Sequence, residues 1–437
     1  MKRKFLIVLL VLALAIVSAF VMIACDVFPF PSGNGDNGNS TVVTPGGDTD
    51  NGSATDSGEK TPEPEKPDDH GLKFNLLDDD TYEVIGYVGN PTEIEIPTEY
   101  NGKKVTRIGK EAFLDSGSLI SVTISDGIAS IGRSAFEGCD SLVNVSISDS
   151  VTSIGNNAFY GCPIERATIP TIACSSVRNS ALQTVVLIGG DSIGDNAFYN
   201  CRSLTSVTIG AGITGIGSGA FSDCYRLAEV YNLSGLVITK GTSDNGYIGY
   251  YALDIYTDKA APSKLTKEND FVIHTDGNAK TLIGYFSNKI EITIPDGVTN
   301  IAGYAFAYRS DITRVELPDS LRNIERYAFA YCGRLTNITM GNNVTDIGER
   351  AFSYCMNLTG VTIPDSVTNI GSYAFCVCRS LTNITIPSSV ANVGSKIFWD
   401  CSNLNTIYCE VASQPSGWDS SWNNDCSATV IWGYKDE

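Results

Sequence analysis

Two histidines, His70 and His274, are all that the 437-residue chain contains. Zinc sites and histidine-dependent proton transfer have almost no raw material, and both residues read as polar loop positions. Basic residues are also short: 30 Lys and Arg stand against 49 Asp and Glu, a net charge of -19. Such a surface repels phosphate backbones, which argues against nucleic acid as a partner. No nucleophile elbow, phosphate loop, dinucleotide fingerprint or metalloprotease helix occurs. The expectation is a protein that is not an enzyme and needs no cofactor or metal.

What is present begins at the N-terminus. Lys2, Arg3 and Lys4 precede an apolar run, Phe5 to Ala24, whose only polar member is Ser18, and the run ends in Met-Ile-Ala-Cys at Cys25. This reads as an export signal. A small residue before Cys resembles a bacterial lipobox, with Met22 departing from its usual aliphatic residue, so Cys25 is a lipidation site. The alternative is that residues 1–25 stay uncleaved as a membrane anchor with the basic end inside. Both outcomes place the remainder outside the membrane, anchored at the cell surface. Residues 26–70 turn to Gly, Asn, Asp, Thr, Ser and Pro. They carry too little apolar surface to order and read as a tether. A flexible coil of about forty residues has a mean reach of roughly 35 Å. Its aspartates lack the regular spacing of a calcium loop.

Past residue 70 the sequence repeats. Ala-Phe pairs end at Phe113, Phe136 and Phe159, at Phe198 and Phe221, and at Phe306, Phe329, Phe352 and Phe375, with Phe398 closing the series; within each run the step is 23. Leu182 stands at the Phe159+23 position, as a degenerate unit followed by a shortened one, giving about eleven units. A Leu-x-x-Ile-x-Ile segment, such as Leu381, Ile384 and Ile386, alternates with Thr, Ser or Asn as a half-buried strand does. Pro or Gly ends it, Val-x-x-Ile-Gly supplies a second extended stretch, and Ala-Phe-x-x-Cys turns the chain. Twenty-three residues bury no core alone, so each coil must stack on its neighbours with parallel strands. The expected fold is a mostly-β leucine-rich-repeat solenoid, roughly 50 Å long at about 4.8 Å per coil.

Eight of the 13 cysteines stand three residues after a repeat Phe: Cys139, Cys162, Cys201, Cys224, Cys332, Cys355, Cys378 and Cys401. This ladder reads as buried thiols packed along the axis, not as a metal cluster. Cys409 and Cys426 are the candidate disulfide. The unit with Ile-Pro, Ile-Gly, Ala-Phe and Cys at fixed offsets resembles the BspA-like leucine-rich repeat of bacterial and protozoan surface proteins. That resemblance, over roughly residues 91 to 410, implies a curved solenoid, surface display and, in some members, adhesion to matrix or plasma proteins. It carries no catalytic or binding residues.

A second duplication lies above the repeat. Phe74 to Pro97 parallels Phe271 to Pro295, each with Ile-Gly-Tyr followed by a Glu-Ile-x-Ile-Pro strand. The folded part therefore divides into a first block, 71–236, and a second, 271–408, each entered through a hairpin cap. An island without the repeat, 237–270, either bulges from one solenoid or hinges two, and 409–437 forms a C-terminal cap. In the second block Tyr308, Tyr331 and Tyr354 follow the repeat Phe by two residues, while Tyr304, Tyr327 and Tyr373 precede it by two. Stacking would align them as aromatic stripes, apolar area with a hydroxyl at low entropic cost. The bland reading is that they only cover the turn side. The rival binding face is the sheet, where Arg314 and Glu316 are the exceptions to small Thr and Ser. Asn144, Asn337 and Asn383 match glycosylation sequons as by-products of strand alternation. Together these features suggest an adhesin-like surface protein that binds a protein or glycan of host, matrix or neighbouring cells. The alternative is a structural component of the cell envelope.

Overall fold

The computed structural model describes residues 71–435. Cys25, the apolar run and the tether lie outside the described residues. Among the described residues no helix is long and apolar enough to cross a membrane.

Alternation creates the main sheets. In Asn144–Ile147 the side chains of Val145 and Ile147 are buried while Asn144 and Ser146 face outward. Each strand pairs in parallel with its counterpart one coil away, Val122 beside Val145 and Ile124 beside Ile147. Eight such strands form one sheet in the first half, from Glu93–Ile96 to Asp254–Tyr256. The second half contributes seven, from Glu291–Thr293 to Thr429–Trp432. The molecule thus holds about fifteen rungs, more than the recognisable repeats, because capping and island segments add rungs that lack the sequence signature.

Two-residue strands form the second wall, as at Asn323–Ile324 and Asn369–Ile370. Polar side chains link these rungs. The Asn323 amide donates to Asn300 at 2.8 Å, and that of Asn392 to Asn369 at 2.7 Å. The Ile-Gly glycine is needed for proximity, not for an unusual dihedral. A Cβ on Gly371 would lie 2.4 Å from the Glu349 nitrogen, and one on Gly155 2.5 Å from that of Arg133.

The third wall is the Ala-Phe turn. Phe113, Phe136 and Phe159 stack at 4.8 and 5.0 Å, and the series from Phe306 to Phe398 continues at 4.8 to 5.9 Å. Beside the rings run the thiols, all but Cys201 donating to the carbonyl of a Phe in the preceding coil, as Cys378 does to Phe352 at 3.2 Å. Burial pushes the Cys201, Cys332 and Cys401 thiols up to about 12, and those of Cys224, Cys355 and Cys378 well above the ordinary range. They serve as small apolar fillers.

The structure corrects the reading of the irregular unit. Leu182 is not the substitute for a turn Phe; it stands two residues before the strand Thr184–Leu187, as Leu204 stands before Ser206–Ile209. The short rung runs from Arg166 to Thr184, paired residues of adjacent strands. In place of an Ala-Phe turn it has a short helix, Cys174–Val177, that buries Cys174 and Val177.

The island joins both halves. Asp254–Tyr256 extends the first sheet by pairing with Glu229–Asn232, and Leu265–Glu268 then adds antiparallel to Phe271–Asp276. Phe271–Asp276 pairs in turn with Ala279–Tyr285, with a register shift after Val272. The first hairpin, Leu72–Leu76 with Tyr82–Tyr87, shifts register after Lys73 in the same manner. At the junction the guanidinium of Arg226, 9% exposed, donates to the Ala305 carbonyl at 2.9 and 3.2 Å. In other turns that carbonyl accepts from the Phe N–H of the preceding coil; Arg226 supplies the donor where no such coil exists. At the far end Trp418 and Trp422 are buried, and Trp422 meets Phe398 edge-on at 6.5 Å.

Candidate functional site

The six tyrosines share one backbone property that sequence spacing did not reveal. Tyr304, Tyr308, Tyr327, Tyr331, Tyr354 and Tyr373 all have positive φ, between 57° and 65°. Each turn places the residues two before and two after its Phe in the left-handed region. In the first half these positions hold mostly Asn, Asp and Gly, such as Asn157, Gly161, Asn196 and Asn200, with Glu111 and Ser134 as exceptions. A bulky aromatic there costs about 1 kcal/mol more than Asn or Gly. The second half accepts that cost six times.

The rings form two columns. Tyr308, Tyr331 and Tyr354 stack face to face at 4.8 and 4.6 Å, and the Arg202 guanidinium covers Tyr308 at 3.8 Å. In the other column Tyr225 from the first half stacks on Tyr304 at 4.0 Å, and Tyr304 on Tyr327 at 4.8 Å. Arg350 takes the next place, 5.6 Å from Tyr327 and 4.6 Å from Tyr373, and donates to the Tyr327 hydroxyl at 2.5 Å. Both columns are therefore capped or interleaved by guanidinium groups, of which Arg350 also pairs with Glu349 at 3.2 Å. Tyr308 and Tyr331 remain 38% and 37% exposed, and the other four are half-buried. Burial raises the hydroxyl pKa values of Tyr304, Tyr308 and Tyr331, so all three are neutral donors at physiological pH. At the head of the second column a hollow of about 170 Å³ is lined by Tyr225, Tyr250, Tyr251 and Tyr304, with Glu325 and Arg326 at its edge.

The rival face is poorer in anchors. Its outward strand positions carry Glu93, Glu95, Arg166, Glu291, Arg314 and Glu316, and Arg314 and Glu316 neutralise each other at 2.9 Å. Cys409 and Cys426 are free thiols. Cys409 is buried at the end of its strand, whereas Cys426 lines a shallow hollow with Cys401. Cys426 continues the thiol ladder one longer coil onward, which explains why the expected pairing with Cys409 is not formed.

His274 is not a loop residue. It lies in a strand, 5% exposed, with Nε2 2.6 Å from the Asp254 carboxylate. The Lys264 amine lies 3.2 Å from the same carboxylate. Nearby Glu229, 1% exposed, accepts from the Lys264 N–H at 2.6 Å and the Ser263 hydroxyl at 2.8 Å. Ser263 thus donates to Glu229 rather than to the imidazole, and the group fastens the island to the second hairpin. Sequence pattern missed it because its members come from three strands and the loop between two of them.

Stacked coils of this length, joined by in-register parallel strands around Leu, Ile and Phe ladders, define a leucine-rich-repeat solenoid. The chain belongs to the BspA type leucine rich repeat family, whose sequence pattern matches six copies over residues 106–228 and 284–405. No curated protein matches it. Among solved structures it is similar to a leucine rich cell surface protein from Faecalibacterium prausnitzii A2-165, at 26% identity over 83% of this chain and 98% of that one, with a TM-score of 0.36. It is also similar to a leucine-rich repeat protein from Bacteroides ovatus, at 22% identity over 83% and 98%, TM-score 0.31. The pneumococcal vaccine antigen PcpA matches at 19% identity over 77% of this chain and 85% of that one, TM-score 0.37.

Proposed function

We propose that this chain is a cell-surface binding protein that captures a protein or glycan of host, matrix or neighbouring cells on its tyrosine-lined turn face. The export signal and tether suit display at the surface, anchored through Cys25 or the uncleaved apolar run. Membership of the repeat family supports the same placement. The observation that carries the reading is backbone strain. Six tyrosines occupy left-handed positions that Asn, Asp and Gly mostly fill in the first half of the chain and that Arg350, Val377 and Lys396 share in the second. Strain retained at one face is the mark of a surface kept for contact. The strip supplies flat apolar area, hydroxyl donors and guanidinium groups, the residue types that dominate binding hot spots.

The test uses the triple variant Tyr308→Asn, Tyr331→Asn and Tyr354→Asn, because Asn is at home in the left-handed region. Immobilised wild type and variant are exposed to matrix proteins, mucins and whole cells. Capture by wild type and its loss in a variant that keeps its circular-dichroism spectrum supports the reading. Equal capture by both overturns the assignment of this face.

A further inference from the structure

Three hydrogen bonds join most Ala-Phe turns to the next; the Phe221 turn keeps only the one from its Phe N–H to Gly246. Around Phe136, the N–H groups of Ser134, Phe136 and Gly138 donate to the carbonyls of Asn156, Ala158 and Tyr160 at 3.0, 2.8 and 2.9 Å. The same triple recurs after Phe113, Phe198, Phe306, Phe329 and Phe352. After Phe159 it fails, because the short rung replaces its turn with a helix. The N–H groups of Asn157, Phe159 and Gly161 have no partner among the described residues. Beside them opens a hollow of about 910 Å³, walled by residues 152–163 on one side and by Ile172 and residues 175–181 on the other. Arg178 is the one charged side chain on its walls, and no carboxylate lines it. Tyr160 and Ile172, 68% and 46% exposed, stand at the same hollow.

We propose that this notch binds an acidic peptide segment of a partner protein, which takes the place of the missing turn and accepts its three main-chain hydrogen bonds. The donors come from alternate residues and point the same way, so the occupant must offer acceptors on alternate residues of one polymer. A polypeptide in the turn conformation of the neighbouring rungs does so. A β-strand edge would set N–H against N–H, since it presents donors and acceptors together. A row of N–H groups in alternating right- and left-handed backbone attracts negative charge, and Arg178 adds to it. Completion of a repeated structure by a foreign segment is the logic of strand addition, transferred here to a turn. The notch lies in the first half, apart from the tyrosine columns, so the two proposals fail separately.

The probe is the blocked peptide acetyl-Asp-Gly-Ala-Leu-Asp-Gly-amide, with Gly at the two left-handed positions; its control carries Lys for Asp. Amide hydrogen exchange of the full chain reads the site directly. Without peptide, the amides of Asn157, Phe159 and Gly161 should exchange faster than those of Ser134, Phe136 and Gly138. The acidic peptide should protect them, the lysine peptide should not, and Arg178→Glu should weaken binding about tenfold. Protection already present in the full chain alone, filled by its own residues 26–70, overturns the proposal. Equal protection by inorganic sulfate, which makes the site a small-anion nest, overturns it too, as does no protection by the acidic peptide.

Discussion

Gly371 and Gly360 lie one wall apart on the same rung, and replacing each with Ala separates steric contact between coils from every other glycine effect. At Gly371 the new Cβ would lie 2.4 Å from the Glu349 nitrogen and 2.6 Å from the Gly348 carbonyl carbon. These are backbone atoms of the adjacent coil, which cannot swing aside as a side chain would. Relief requires the two rungs to part, and the Gly371 N–H bond to Ile347, 2.8 Å, lies at the point of separation. Overpacking of this kind costs about 1–3 kcal/mol, and loss of the hydrogen bond adds about 1 kcal/mol. Neither glycine has positive φ, so dihedral strain does not enter. At Gly360 nothing lies within 4 Å of the added methyl. Ala there narrows the unfolded ensemble and should be neutral or stabilising by about 0.5 kcal/mol. Urea titration followed by far-ultraviolet circular dichroism gives both values. In a solenoid, where each rung touches only its neighbours, Gly371→Ala should also broaden the transition. A Gly371→Ala variant as stable as wild type, or a Gly360→Ala variant equally damaged, would refute the account of the Ile-Gly signature.

Other outcomes follow from the thiols and from the buried polar group. Cys426, half-buried, should be the first described thiol to react with an aromatic disulfide reagent, while the ladder thiols wait for unfolding. Non-reducing peptide mapping should recover Cys409 and Cys426 unlinked; a joined peptide would contradict the placement of Cys426 beside Cys401. Burial opposes ionisation of Asp254, but the bonds from His274 and Lys264 outweigh it and hold its carboxyl below the ordinary 3.8. A depressed carboxyl contributes stability above its unfolded value and loses it as pH falls through the folded one. The strand Leu265–Glu268 should therefore loosen below pH 3.8 in wild type. Asp254→Asn should remove that acid step, read by amide exchange of the strand.

The 23-residue period determined a great deal by itself. Each unit carries its own strand alternation, its turn Phe and its Cys, so the ladders of Phe136, Phe352 and Cys378 could be read from spacing: a stacked repeat places equal positions one above another. The period also picked out the six tyrosines as stripes, and the duplication of Phe74 to Pro97 in Phe271 to Pro295 reappears as two hairpins with the same register shift. Where the period lapsed, the reading lapsed with it. Leu182 was assigned to the wrong wall because an 18-residue step between Arg166 and Thr184 leaves no template against which to count. Cys426 stands 25 residues after Cys401 instead of the regular 23, which takes it out of the ladder's count. Only tertiary structure decided that the tyrosines sit at positive φ, that Arg226 closes the second half with a bond to Ala305, and that His274 meets Asp254. Local pattern fixes which face a residue takes. Dihedral strain at a turn, the fate of unpaired main-chain groups and contacts across the island depend on which rung is laid against which, and no single repeat contains that information.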